Sequence, residues 1–276
     1  MDIGIFSRTF QGGLEEVFSK IRSYGLRHTH LNLLSAGMET MPERIDMDKT
    51  ASVRLFAKEY GIILDGLSGT FNMIAPDQKE REDGIVRFQT LCCIAQLLDV
   101  PMISLCTGSR NPKSKWMWDE RNLLPDAWDD LKRTTERILA FAQEYDIILG
   151  VETEASNIIN TPRRAREYLD TFKTHRLKII MDGANLFLPS QVHLMRGVLE
   201  EAFALLGHDI VQAHAKDLTV EGDLEFVAAG EGVLDFPYYV SLLRRYGYEG
   251  TLMLHGLSEA QVQGSVGFLK GVIAGA

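Results

Sequence analysis

The apolar positions of the chain fall into short runs, each reached through an amphipathic stretch that ends at a Tyr-Gly or similar break. Such breaks stand at Tyr24-Gly25, Tyr60-Gly61, Tyr145-Asp146, Gly207-His208-Asp209 and Tyr246-Gly247. Glycine there suits the left-handed residue that closes a helix, and the unbroken apolar run behind it reads as a strand buried on both faces. The pattern predicts eight strands: Ile3–Ser7, His28–Leu33, Ile62–Ser68, Met102–Cys106, Ile147–Glu152, Leu177–Asp182, Ile210–His214 and Thr251–His255. Between them lie helical repeats. In one, Leu131, Thr135, Ile138, Leu139 and Ala142 keep a face apolar while Lys132, Arg133, Glu136 and Arg137 stay in water.

Eight strands in 276 residues leave about 34 residues per unit, enough for a strand, a helix and two short loops. The expected fold is a single-domain (β/α)8 TIM barrel over residues 1–276. A doubly wound open sheet would place a glycine-rich phosphate turn after the first strand. Here that turn reads Ser7-Arg8-Thr9-Phe10-Gln11-Gly12-Gly13, without GxGxxG, and no GxxxxGK[ST] occurs. One long loop, Thr107–Pro125, carries Trp116 and Trp118 and is expected to cover the site or a second copy of the chain in a homo-oligomer.

Charge and cysteine content narrow the partners. The net charge of -9 repels phosphate backbones, so nucleic acid is not expected. Cys92, Cys93 and Cys106 form no CxxC pair and read as buried thiols of a reducing compartment. No secretory leader and no run of 18 apolar residues is visible, so a cytoplasmic protein without a membrane span is expected. Arg163, Arg164 and Arg166 read as a solvated helix face.

In such a barrel the active site lies at the carboxyl ends of the strands. The last four predicted strands end in Glu152, Asp182, His214 and His255, spaced by 30, 32 and 41 residues. Two carboxylates and two imidazoles at one structural phase form a candidate site for one divalent ion: Mn, Zn, Co, Mg or Fe. Glu154 lies two residues beyond Glu152 and reads as a base, a supporting carboxylate or a solvated loop residue, the first two being favoured. Lys216 is placed to hold a substrate oxygen or to pair with Asp217 or Glu231. Arg110 is the candidate for an anionic substrate group, since guanidinium recognises carboxylate or phosphate in bidentate fashion, with a surface salt bridge as the equal alternative. His28 and His30 read as interior packing, whereas Asn32 lies nearer the mouth.

These segments also carry a resemblance. Gly150-Val-Glu152-Thr-Glu154, Met181-Asp182-Gly-Ala-Asn185-Leu, His214-Ala-Lys216-Asp217 and Gly230-Glu-Gly232-Val-Leu-Asp235-Phe resemble the xylose isomerase-like barrel superfamily, in particular its sugar phosphate isomerase/epimerase group. So do Gly69-Thr-Phe-Asn72-Met73-Ile-Ala-Pro76-Asp77 and Cys106-Thr107-Gly108-Ser109-Arg110 with the Trp116-x-Trp118 loop. The resemblance implies a metal held by Glu, Asp, His and Glu from strands five to eight, the two glutamates also moving protons. Glu152, Asp182 and His214 match; His255 stands in place of the last Glu. Asn185 stands where many epimerases have a substrate-binding His. Asn32, Asn72, Arg110, Trp116, Asn185 and Lys216 are the expected substrate contacts.

The function so implied is a metal-dependent isomerase or epimerase of a small sugar-like polyhydroxy carbonyl compound, with Glu152, His255 and Glu154 as proton carriers. The alternatives are a lyase or dehydratase of the inosose or dehydroshikimate type, an endonuclease of the same fold, which the acidic balance disfavours, and a catalytically inactive binding protein.

Overall fold

The computed structural model describes residues 1–221 and 223–275. Eight parallel strands close into a ring: β1 (Ile3–Phe6), β2 (His28–Leu31), β3 (Ile63–Gly69), β4 (Met102–Leu105), β5 (Ile148–Glu152), β6 (Leu177–Asp182), β7 (Ile210–Glu221) and β9 (Leu252–Leu254). Each pairs with its neighbour in that order, β6 pairs with β7, and β9 lies between β7 and β1. The helices α1 (Leu14–Ser23), α2 (Met47–Tyr60), α3 (Gln78–Leu97), α4 (Pro125–Glu144), α5 (Pro162–Phe172), α6 (Met195–Leu206), α7 (Phe236–Arg245) and α8 (Val262–Gly275) follow the barrel strands in turn. The expected (β/α)8 barrel is the observed fold.

Four of the five predicted breaks work as expected. Gly25, Gly61, Asp146 and Gly247 all have positive φ, between 58° and 79°. Gly207 does not: its φ is -56°, and a short 3-10 turn, Gly207–Asp209, carries the chain into β7. A side chain there would instead collide with Tyr246, 2.4 Å from the position of a Cβ. Close packing, not backbone sign, is what asks for glycine.

Strand boundaries fall within about two residues of the predicted ones, except at β7. It runs seven residues past His214 and folds back through β8 (Asp223–Ala228), an antiparallel arm pairing Lys216 with Ala228 and Val220 with Leu224. The signal lay in two alternating stretches, Leu218-Thr-Val220-Glu and Leu224-Glu-Phe226-Val, on either side of Gly222. Reading the end of the strand as the end of the element concealed it.

Inside the barrel, beneath the mouth, His30, Gln212 and Ser104 form a buried polar layer. His30 Nδ1 lies 3.0 Å from Gln212 Oε1 and its Nε2 3.2 Å from Ser104 Oγ. Gly66 makes room for it, since a Cβ there would stand 2.9 Å from the ring. Both histidines expected to pack do so, His28 on Asp65 at 2.9 Å and His30 in this layer. Of the cysteines, Cys92 and Cys106 are buried, Cys93 is partly so, and burial pushes the thiols of Cys92 and Cys106 up to about 12. No helix among the described residues is long and apolar enough to cross a membrane.

Burial, with the charge of His214 adding to it, pushes His30 down from 6.5 to about 3. An unfolded chain takes up a proton near pH 6.5 that folded His30 refuses until about pH 3. Its contribution to stability is therefore complete above pH 6.5 and lost on acidification through that window, by at most about 1.4 kcal/mol per pH unit. Thermal unfolding of metal-free protein between pH 7 and pH 4 should show a steep loss that His30→Gln makes shallower; identical slopes would mean that His30 titrates normally.

Candidate metal and substrate site

The ends of β5 and β6, the point in β7 where it leaves the barrel ring, and the residue after β9 bring Glu152, Asp182, His214 and His255 together. One ligand atom from each lies within 4.8 Å of all the others. Register explains much of this convergence: Asp182 stands beside His214 across the β6–β7 pair, and Ala215 beside Leu254, one residue before His255, across β7–β9. His214 Nδ1 is 3.4 Å from Asp182 Oδ2 and 3.5 Å from Glu152 Oε1, and His255 Nδ1 is 3.9 Å from Asp182 Oδ2.

Two of these atoms, His214 Nδ1 and His255 Nδ1, are buried and make no hydrogen bond, and Asp182 Oδ2 meets only the Lys216 ammonium, at 3.1 Å. Such orphans are costly in a protein interior unless something else occupies them. Four donors around one ion at about 2.0–2.2 Å would lie roughly 3–4 Å apart, so the cluster needs only a slight contraction. The residues fit a divalent cation.

The surroundings orient the donors. Gln212 Oε1 lies 3.3 Å from His214 Nε2 as well as 3.0 Å from His30 Nδ1. An amide oxygen only accepts, so both ring nitrogens donate to it, and His214 Nδ1 is left bare toward the carboxylates whenever the ring is neutral. Phe6 holds the rings in place: its centroid is 4.4 Å from that of His30 and 4.5 Å from that of His255.

Lys216 serves a different role from the pairing expected with Asp217 or Glu231. Its Nζ stands 3.1 Å from Asp182 Oδ2 and donates to Asn185 Oδ1 at 2.6 Å. Phe226 of the β8 arm covers it, the ammonium lying 4.0 Å from the ring centre. Asp217 instead accepts the backbone N–H groups of Leu218, Gly230, Gly232 and Leu234, at 2.8–3.1 Å. That clamp accounts for the Gly230–Asp235 motif: a Cβ on Gly232 would come within 2.3 Å of the Leu218 carbonyl.

Asn185 Nδ2 donates to Glu152 Oε1 at 2.6 Å and to Glu154 Oε2 at 3.2 Å. One amide thus spans both carboxylates and the lysine. Burial and the neighbouring charge of Glu152 push the Glu154 carboxyl up to about 7. Asp182 goes the other way; burial would raise it, but Lys216 and the two histidines hold it well below the usual carboxylate range. His214 is pulled down by burial and held up more strongly by Glu152 and Asp182, reaching about 9.

Above the cluster lies a cavity of about 250 Å3, lined by Glu152, Glu154, His214 and His255 on one side and by Arg8, Asn32, Ser68, Thr70 and Trp116 on the other. At about 30 Å3 per water it has room for roughly eight waters, the scale of a small sugar.

A model of the family described as xylose isomerase-like TIM barrel matches residues 18–271. The chain belongs to that family. Among solved structures, a D-tagatose 3-epimerase-like protein superposes with a TM-score of 0.78 at 16% identity, covering 99% of this chain and 97% of its own. The D-psicose 3-epimerase of Clostridium cellulolyticum H10, solved with D-tagatose, gives 0.72 at 15%, covering 99% of each. An IolI protein solved with a zinc atom gives 0.74 at 15%, covering 100% of this chain and 99% of its own. No match was found among curated proteins.

Within this xylose isomerase-like barrel the expected substrate contacts divide. Asn32 and Trp116 line the cavity; Asn185 and Lys216 lie beside it, engaged with the carboxylates. Trp118, expected with Trp116, is partly exposed on the same loop. Asn72 is buried and spent on loop structure, donating to the Ser109 carbonyl and accepting from the Ser109 and Ile74 amides. Arg110 does not line this cavity. It is buried, 2.6 Å from Asp130 Oδ2, and donates to the Ile74 and Ala75 carbonyls, tying the β4 loop to α4. A guanidinium after a barrel strand can face inward or outward, and spacing alone does not reveal which. Of the three arginines expected on a solvated face, Arg163 is exposed and pairs with Glu201, whereas Arg164 is half-buried on Trp128 and Arg166 ties α5 to Asp209 and the Leu205 carbonyl as well as to Asp170. Sequence reading missed Gln212, Phe6, Phe226 and Arg8. Gln212 carried a signal, two residues before His214 on the same inward face.

Two outcomes are expected. Calorimetric titration of metal-depleted protein with Zn2+ or Mn2+ should reveal one site, weakened at least tenfold by His214→Ala; unchanged affinity would reject the cluster as a metal centre. Arg110→Met should cost on the order of 1–3 kcal/mol of stability by removing charged hydrogen bonds to Asp130 and two buried carbonyls, less than a stranded carboxylate would cost because Arg81 and Arg133 also pair with Asp130. Unaltered unfolding would return Arg110 to the list of substrate contacts.

Proposed function

We propose that this chain is a divalent-metal-dependent isomerase or epimerase acting on a small polyhydroxy carbonyl compound. The observation that carries the reading is the convergence of Glu152, Asp182, His214 and His255, with two imidazole nitrogens left without a partner, at the floor of a sugar-sized cavity. The fold shared with the D-psicose 3-epimerase solved with D-tagatose and with the zinc-containing IolI protein supports it. A divalent ion, when bound, supplies positive charge that steadies the anion formed when a C–H bond next to a carbonyl is broken.

The chain's own residues supply the rest. Glu152 takes the proton from carbon, its carboxylate held in position by the Asn185 amide. His255, on the β9 side of the ring and about one-third exposed, or Glu154 returns a proton at the neighbouring carbon or the opposite face. Lys216 keeps Asp182 ionised and therefore able to act as a ligand. Asn32 accepts from the Leu34 amide and the Thr40 hydroxyl through its oxygen, leaving its nitrogen for a sugar hydroxyl, and Trp116 offers a face for the ring or chain.

Metal-loaded protein incubated in D2O with a panel of ketoses should introduce deuterium beside the carbonyl of at least one. Glu152→Gln should slow that exchange at least 100-fold. Absence of exchange across the panel would reject proton-transfer chemistry, and an enone absorbance growing in its place would assign the site to β-elimination of water.

A further inference from the structure

The ring order places β1 diametrically opposite β5, four strands away in either direction. The four ligand residues come from β5, β6, β7 and the end of β9, so they occupy one half of the mouth. The other half, formed after β1 to β4, supplies hydroxyls, an amide, an indole and one cation, Arg8. Arg8 sits in the 3-10 turn Ser7–Thr9, directly after β1. That turn is pinned from below: the buried Ser7 hydroxyl accepts the Asn32 N–H at 3.0 Å and bonds Ser35 Oγ at 3.0 Å.

Among the described residues the Arg8 guanidinium has neither an ion pair nor a hydrogen-bond partner, although it lines the cavity and remains exposed. The other cations around the mouth are committed. Lys216 holds Asp182, Lys115 donates to the Thr70 carbonyl at 2.6 Å, and Arg110 is buried on Asp130. Glu152 and Glu154 rise from the opposite side of the ring and do not pair with Arg8. Among the described residues Arg8 is the one lysine or arginine that lines this cavity, in a chain of net charge -9. Guanidinium binds carboxylate and phosphate through two parallel N–H donors and stays charged at any relevant pH.

We infer that Arg8 receives an anionic group, carboxylate or phosphate, at the end of the substrate farthest from the reacting carbonyl. The position of the carbonyl rests on the isomerase reading; the anion site itself rests on Arg8 and the cavity. A terminally acidic or phosphorylated sugar then spans the mouth, its carbonyl end at the ligand half and its anion at the β1 half.

The test uses the metal-loaded full chain and a matched set: D-fructose, D-fructose 6-phosphate and D-fructuronate, with inorganic phosphate as the minimal probe. Calorimetry should show at least one anionic sugar bound at least tenfold more tightly than D-fructose. Arg8→Gln should erase that difference and weaken inorganic phosphate, and Arg8→Lys should restore part of it. A preference confined to the phosphate ester identifies a phosphate site, and one confined to the uronate a carboxylate site. Equal affinity for all three sugars, no measurable binding of any anionic probe, or a loss in Arg8→Gln as large for D-fructose as for its acidic analogues would each overturn the inference. Deuterium exchange into the same sugars separates the two readings: anion preference without exchange rejects the isomerase and leaves Arg8 standing, whereas exchange without anion preference does the reverse.

Discussion

Asp182 is a carboxylate with no access to water, and much of the barrel mouth is arranged around keeping it ionised. An isolated charge in that position would neutralise itself by taking a proton. Lys216 prevents this from one side and the two imidazoles from the other. Lys216 is itself buried, so it needs the β8 arm and Phe226 above it and Asn185 beside it. Asn185 in turn fixes Glu152 and Glu154. A single buried charge therefore extends its demands through three strands and the arm.

The two halves of the mouth differ because their neighbours differ. Ends of β5, β6, β7 and β9 carry acids and imidazoles, which repel or compete with one another unless a cation stands among them. The ends of β1 to β4 carry neutral donors and Arg8, and loops there are held by buried amides such as Asn72, Asn122 and Asn157, the last accepting from the Gly108 N–H at 2.8 Å. Separation of roles around a ring lets one end of a ligand meet fixed charge while the other meets hydrogen-bond donors.

The fold was legible because it is written in periodicity. Helix-closing breaks and apolar runs located the eight barrel strands, and counting from them exposed the four strand-end ligands, which the structure gathers within 4.8 Å. What sequence hid was direction. Arg110 and Arg8 both follow a barrel strand closely, yet Arg110 turns outward to Asp130 and Arg8 lines the cavity. Lys216 chose Asp182, 34 residues away, over adjacent Asp217, because Asp217 was already saturated with four backbone N–H groups. Such choices depend on which competing partners remain unsatisfied after the backbone folds. Periodicity carries no record of that.

The ring closes only when β9, near the end of the chain, pairs with β1 at its beginning. Ile3 meets Leu252 across 249 residues, and His255 follows directly after the closing strand. A nascent chain, or one opened locally at this seam, has at most three of the four donors in place. An ion held by all four would then distinguish a finished barrel from an unfinished one, its binding free energy falling selectively on the closed state. An ion held by the four residues would also act as a latch for one of the longest-range contacts that the topology demands.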